Sequence, residues 1–335
     1  DEMRDGVRIM GLPDVARWRR PGVWRAVARR ARETNADLYH FHDPELLFVV
    51  PLLARRTGRP TIYDVHEAYP EFFAVKDYLP AWLRYPTASS FRVLEPRLAG
   101  FCDALVFADD FTPDAFSRVR RPQVVLPNYP DPYLVDAGSR ELSSLATREP
   151  LVLYLGGLER NRGSRLMIEA FAQVHARRSD ARLLHVGHFM PPELEREVFH
   201  HAAELGIEEA VCCVGRVPFA EVGGYLERAA LGWVTWQPYA KNQKNVPTKL
   251  FEYMAYGLPV VSSDLDTTRP FVENGVTGTL VEAVDPAAHA AAILELLEDR
   301  ERAARMGRRG REQVLETYNW RAVEHRLLEL YQEFE

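Results

Sequence analysis

Short apolar runs rich in β-branched residues alternate along this chain with stretches of helical period. That alternation is the pattern of parallel sheets covered on both faces by helices. In the first half the runs predict strands over 7–12, 37–41, 61–65, 104–107 and 123–126, with helices near 21–34, 45–57 and 88–100. A second series predicts strands at 151–155, 182–186, 211–214, 232–235, 260–263 and 278–281, with helices between them. A long amphipathic helix is expected over 286–317, and Asn319 then caps a last one over 320–334. The polar stretch 136–149 (DAGSRELSSLATRE) is the natural linker between the two series.

Ligands of open parallel sheets gather beyond the carboxyl ends of the strands, so the residues there come first. The segment NVPTKLFEYMAYGLPVVSSD, 245–264, launches a short helix with Pro247 and Thr248 and ends it with Gly257 and Pro259. A helix N-terminus carries unpaired N–H groups and partial positive charge, which suits phosphate. Glu252, one turn on, can accept two hydrogen bonds from a vicinal diol such as that of a ribose. The alternative is local: Thr248 as an N-cap and Lys249–Glu252 as an exposed i,i+3 ion pair. A capping box places its Glu three residues after the cap, and Glu252 is four after Thr248.

Two strands of the first half also end in polar clusters, His42-Asp43 after one and Asp64, His66 and Glu67 around the end of the other. Asp43 before Pro44 can also be a helix cap. Gly156 and Gly157 follow the first strand of the second half, and Gly163 precedes the next helix, an arrangement that lets backbone approach a ligand or simply turn tightly. Residues 17–32 hold seven arginines and no acid, with Trp24, Val27, Ala28 and Ala31 at helical spacing. Such a helix suits an anionic membrane surface, or an ordinary sheet-covering role with a basic outer face. The aromatic stretch 72–85 suits an acceptor cleft or a helix packed on its own domain.

Composition narrows the class. At 335 residues the chain can build two domains, and 47 % hydrophobic with 27 % charged residues is ordinary for a globular protein. A net charge of −6 argues against general nucleic-acid binding. No apolar run approaches the roughly 18 residues of a membrane span and no signal peptide is visible, so a cytoplasmic protein is expected. Cys102, Cys212 and Cys213 lie among apolar neighbours without C-x-x-C spacing, which predicts structural burial, with no metal site.

The 245–264 segment resembles the signature of GT-B fold glycosyltransferases of the retaining family 4, the glycosyl transferases group 1. There two glutamates bracket the helix start. Glu252 matches the second, which holds the donor ribose, whereas Lys244 stands where the first would be. A subgroup with a P-x-K-x-F-E-Y-M-A pattern shares that departure. The loop LVLYLGGLERNRG resembles the family's diphosphate loop with Gly157 in place of the first cation and Arg162 as the second; Gly156, Thr248 and Lys249 join the donor set. The segment at Arg216 and Val217 resembles the one whose backbone lies along the nucleobase. His66 matches the histidine that faces the donor sugar, with Asp43, His42 and Glu67 on the acceptor side.

The resemblance implies an α/β GT-B protein with two Rossmann-like domains, a cleft between them and a C-terminal helix crossing back. The expected divisions are 1–136 for the acceptor, 150–318 for the nucleotide-sugar donor, and 319–335 for the crossing helix. By analogy, roughly 50 residues of a strand–helix–strand unit precede Asp1. The implied activity is transfer of a sugar from a nucleotide diphosphate-sugar to an acceptor hydroxyl, with retention and without metal. The acceptor is a sugar, glycan or natural product, and contact with the inner membrane surface would run through residues 17–32. A double displacement with Asp43 or Glu67 as nucleophile stays open. Lys244 and Gly157 motivate the alternative of a catalytically weak sugar-nucleotide binding or partner subunit. A dinucleotide oxidoreductase lacks its G-x-G-x-x-G.

Overall fold

The computed structural model describes residues 2–4, 6–12, 20–74, 79–131 and 148–335. Contacts divide the chain into two compact units, Asp1–Pro127 with Arg326–Glu335, and Asn128–His325. Most of the expected linker lies outside the described residues, as does the start of the arginine-rich segment.

In the first unit β1 (Glu2–Arg4) and β2 (Val7–Ile9) form an exposed antiparallel pair around a turn at Gly6. The strand expected over 7–12 therefore stops at Ile9 and does not join the parallel sheet. That sheet runs in the order β3 (Tyr39–Phe41), β4 (Thr61–Val65), β5 (Ala104–Phe107) and β6 (Gln123–Val125), all parallel. β4 and β5 are buried throughout, as strands covered on both faces are; β5 (ALVF) is wholly apolar, whereas β4 (TIYDV) buries Thr61 and Asp64 with its apolar residues. Helix α1 (Arg20–Glu33) stacks Trp24 on Phe48, with ring centroids 5.8 Å apart.

The helix expected over 45–57 is two pieces, a 3-10 turn at Pro44–Phe48 and α2 (Val50–Thr57), because Pro51 cannot continue a hydrogen-bond ladder from the preceding turn. After the short α3 (Tyr69–Ala74) comes α4 (Ala81–Ala99), seven residues earlier in its start than the pattern suggested. Its interior prolines, Pro86 and Pro96, obscured the period. Phe72 and Phe73 pack with Tyr69 and Phe91, whereas Trp82 and Tyr85 are exposed.

The second unit holds a six-stranded parallel sheet. Its strands are β7 (Leu151–Leu155), β8 (Arg182–Val186), β9 (Val211–Gly215), β10 (Leu231–Val234), β11 (Val260–Ser263) and β12 (Gly278–Val281). The spatial order β12-β11-β10-β7-β8-β9 reverses direction at β7, the switch point of a doubly wound sheet. Helices α5 (Ser164–Arg177), α6 (Leu194–Glu204), α7 (Phe219–Arg228), α8 (Lys249–Ala255), α9 (Pro286–Glu298) and α10 (Arg300–Glu316) follow the strands. The single helix expected over 286–317 is α9 and α10, since Asp299 ends one and caps the other by accepting from the Arg302 N–H. Asn319 acts as a cap as expected, accepting from the Ala322 N–H, but it starts a 3-10 turn (Trp320–Ala322) that precedes α11 (Glu324–Gln332).

Cys102 is buried as expected. Cys212 is not: it faces outward from β9, at the sheet edge, and its expected burial fails there.

Candidate functional site

In the second unit, the β10–α8 connection and the β7–α5 loop bring their polar groups together at the switch point. Tyr253 anchors α8 to the sheet. Its hydroxyl accepts from the Leu155 N–H at 2.8 Å and donates to the Trp233 carbonyl at 3.3 Å, tying β7 to β10. Its ring lies flat on Gly232, where any Cβ would collide with it. The far end of α8 is held by arginines. Arg311 donates to the Ala255 carbonyl, and the buried Arg148 donates to the Tyr256 carbonyl at 3.1 Å. Cations there satisfy the last carbonyls and complement the helix dipole.

This docking fixes Lys249, four residues before Tyr253. Lys249 is buried, its ammonium lies 3.5 Å above the Tyr154 ring centroid, and it has no hydrogen-bond partner among the described residues. Burial, and then the Arg162 charge, hold its pKa well below the ordinary value, with Glu252 pulling the other way. The exposed Lys249–Glu252 pair of the local alternative is therefore not what forms. Thr248 occupies the N-cap position of α8 without a side-chain cap bond. Glu252 is partly buried and its carboxyl is raised, by burial against the opposing pull of Lys249.

Gly156, at φ 89°, turns the chain next to Lys249: a Cβ there would stand 3.9 Å from the ammonium nitrogen. Its carbonyl accepts from His185 Nε2 at 3.0 Å, and burial pushes the His185 pKa down to about 4, so this ring is neutral. Gly163, at φ 81°, has no room for a side chain because a Cβ would strike the Thr235 carbonyl. Arg162 folds back on the loop, donating to the Gly157 carbonyl at 2.9 Å, with Glu159 3.7 Å away and the Trp236 ring beneath its guanidinium. Arg216 is exposed and donates to His188 Nδ1 at 3.1 Å, and Val217 packs half-buried against the core. Lys244 lies in the preceding turn, with its N–H on the Lys241 carbonyl at 3.1 Å. Arg269 pairs with Asp264 and Asp266, closing the turn after β11.

The first unit gathers a second set. His40 Nε2 lies 3.2 Å and His42 Nδ1 3.3 Å from Asp64 Oδ2, and His66 Nε2 lies 3.6 Å from Asp64 Oδ1. His42 Nδ1 also meets His66 Nε2 directly, and Tyr331 OH is 2.7 Å from His40 Nδ1. Although burial opposes it, hydrogen bonds from His40 and His42 hold the Asp64 carboxyl far below the usual range. The Asp64 hydrogen bond raises His42, while burial lowers His66. Asp43 is exposed at the cap position before Pro44 without a side-chain cap bond, and its charge favours protonated His42. Glu67 acts on His66 in the same sense.

Sequence reasoning missed four of these groups. His40 and Tyr331 carried no signal of their own, since nothing local links positions 291 residues apart. His185 and His188 were overlooked although HVGH ends a strong strand, the same signal that identified His42 and His66.

Residues 139–313 match the family Glycosyl transferases group 1, and residues 1–129 match the Glycosyl transferase 4-like domain. A GDP-mannose-dependent alpha-(1-6)-phosphatidylinositol monomannoside mannosyltransferase of Mycolicibacterium smegmatis is 27 % identical over 342 residues, covering 98 % of this chain and 84 % of its own length. A phosphatidyl-myo-inositol mannosyltransferase of the same organism is 26 % identical over 338 residues, covering 99 % and 81 %. Among solved structures, Anabaena HepE in complex with UDP superposes with a TM-score of 0.72 at 18 % identity, over 93 % of this chain and 82 % of that one. Sucrose-phosphate synthase from Thermosynechococcus elongatus gives 0.74 at 21 % identity, over 93 % and 77 %. The two structures share the GT-B fold with this chain, and the family match, spanning more than half of its residues, completes the assignment: the chain belongs to the group 1 glycosyltransferases.

Proposed function

We propose that the chain transfers a sugar from a nucleoside diphosphate-sugar to an acceptor hydroxyl, with retention at the anomeric carbon and without a metal. One observation carries the donor half of this reading: the buried Lys249 ammonium with no partner among the described residues, beside the open Gly156 turn. An unpaired buried charge is costly, and a bound diphosphate supplies the missing counter-charge. Arg162 adds a second cation, while Glu252 takes the ribose hydroxyls. In the transfer the bond from the anomeric carbon to the diphosphate oxygen breaks as the acceptor oxygen bonds from the same face. The acceptor proton passes to the departing phosphate. Lys249 stabilises the charge that develops there, a task for fixed, water-excluded donors.

His66 keeps the role implied by the resemblance, contact with the transferred sugar, with Asp43 and Glu67 on the acceptor side. Retention rests on the family-4 signature around Glu252, and the anomeric configuration of the product by NMR tests it. The names of the curated relatives make GDP-mannose the first donor to try, and the UDP complex of HepE makes UDP-sugars the second.

Glu252→Ala tests the assignment. Nucleoside diphosphate affinity measured by calorimetry should fall by about 1.5–3 kcal/mol, the worth of a hydrogen bond to a charged group. Unchanged affinity removes Glu252 from the donor site. Slow hydrolysis of the donor without acceptor separates the enzyme from a pure sugar-nucleotide binder, which shows none.

A further inference from the structure

We propose that His40, His42 and Asp64 form a binding site for a borderline divalent ion of the Zn²⁺ type, with His66 as the fourth ligand. The ligand atoms of the first three all lie within 4.8 Å of one another. The two imidazole–carboxylate separations, 3.2 and 3.3 Å, equal the edge of a tetrahedron built on bonds of about 2.0–2.1 Å, roughly 3.3 Å. Imidazole nitrogens with one carboxylate are the donor set that such ions prefer.

The proton count points the same way. His42 Nδ1 can carry one proton but faces two acceptors, Asp64 Oδ2 and His66 Nε2. Whichever it serves, a lone pair is left facing the other. His66 cannot relieve this by donating to Asp64, because 3.6 Å is too long for a hydrogen bond. A cation at the centre accepts all these lone pairs at once, and a modest rotation of His66 away from His42 opens the fourth corner. The surroundings fit as well. Tyr331 OH meets the outer nitrogen of His40 at 2.7 Å, the outer-shell contact that orients a ligating imidazole. His42 is more than half exposed, which provides an entry path.

The site shares His66 with the transfer reading but does not depend on it, and its test needs no substrate. The full chain, stripped with chelator, is titrated with Co²⁺ and followed by the visible d–d absorption of a tetrahedral ion, then challenged with Zn²⁺. One Co²⁺ per chain with a tetrahedral spectrum, displaced by Zn²⁺, is expected. His42→Ala changes an exposed residue and keeps the fold by circular dichroism. It should weaken binding by more than the roughly 10–100-fold that loss of an outer-shell partner costs. Tyr331→Phe should fall within that outer-shell range. His66→Ala should abolish the tetrahedral spectrum. The double change His200→Ala and His201→Ala, which removes a histidine pair beside Glu204, should alter nothing. No Co²⁺ binding, or binding that survives His42→Ala and is lost in the double variant, overturns the proposal.

Discussion

Two polar clusters stand at the ends of parallel strands in this protein, and they handle charge in opposite ways. In the first unit the Asp64 carboxylate is met within the fold by His40 and His42, while the His42 and His66 nitrogens that face each other are left one proton short. In the second, Lys249 is buried over an aromatic face without a hydrogen-bond partner among the described residues. A group that is satisfied within the fold contributes to the fold. A buried charged group left unsatisfied lowers stability and is a candidate contact for a ligand. Glu95 makes the contrast sharper. It is buried like Lys249, but Tyr63 OH donates to it at 2.7 Å, so its burial serves structure.

The largest effect should come from Lys249→Met. Removing one preorganised donor to developing charge costs about 10²–10³ in rate, so kcat/KM should fall by at least a hundredfold. The melting temperature should hold or rise, because a buried amine without a hydrogen-bond partner has been exchanged for an apolar side chain of similar length. A fall in both would put Lys249 among the structural residues and erase the comparison.

Glu95 should behave in the reverse manner. Glu95→Ala leaves the Tyr63 hydroxyl unpaired and should cost about 1–3 kcal/mol of stability by denaturant titration. Burial raises the Glu95 carboxyl to about 8 from its unfolded value of 4.5. A folded pKa above the unfolded one means stability is fully present below 4.5 and is lost as pH rises towards 8. Glu95→Gln should flatten that slope, and an unchanged slope assigns it to another group.

A smaller effect is expected in calorimetry. Because burial depresses Lys249 in the empty protein, a bound diphosphate should raise its pKa and draw in a proton. The binding enthalpy of a nucleoside diphosphate should then differ between buffers of different ionisation enthalpy, in the direction of proton uptake. Equal enthalpies would mean that the ammonium is already charged. The smallest expected effect is that of EDTA. Transfer should survive it if, as proposed, Lys249 and Arg162 carry the diphosphate charge, and added Zn²⁺ should inhibit by occupying His66. Complete loss in EDTA restored by Mg²⁺ would turn the donor half of the comparison over to a metal.

Much of this was legible in the chain. Strands 61–65, 104–107, 151–155, 182–186, 260–263 and 278–281 agree with the observed bounds, because buried parallel strands are short apolar runs whose ends are marked by polar or Gly residues. Helix boundaries were less legible where proline or a capping acid sits inside a period, as at Pro51, Pro86 and Asp299. Gly156, Gly163 and the 245–264 segment pointed to the second-unit candidate site because backbone turns and helix ends depend on neighbouring residues.

The sequence by itself determined the strand–helix alternation, the glycine turns and the carboxylate and cations of one helix start. All of these are local, set by periods of two and 3.6 residues and by backbone freedom. Only the tertiary structure decided which of those charges is satisfied. That Lys249 is buried over Tyr154 depends on Tyr253 docking against Gly232, and that His40, His42 and Asp64 converge depends on the pairing of Tyr39–Phe41 with Thr61–Tyr63. Burial and register are relations between distant segments, so no window along the chain contains them.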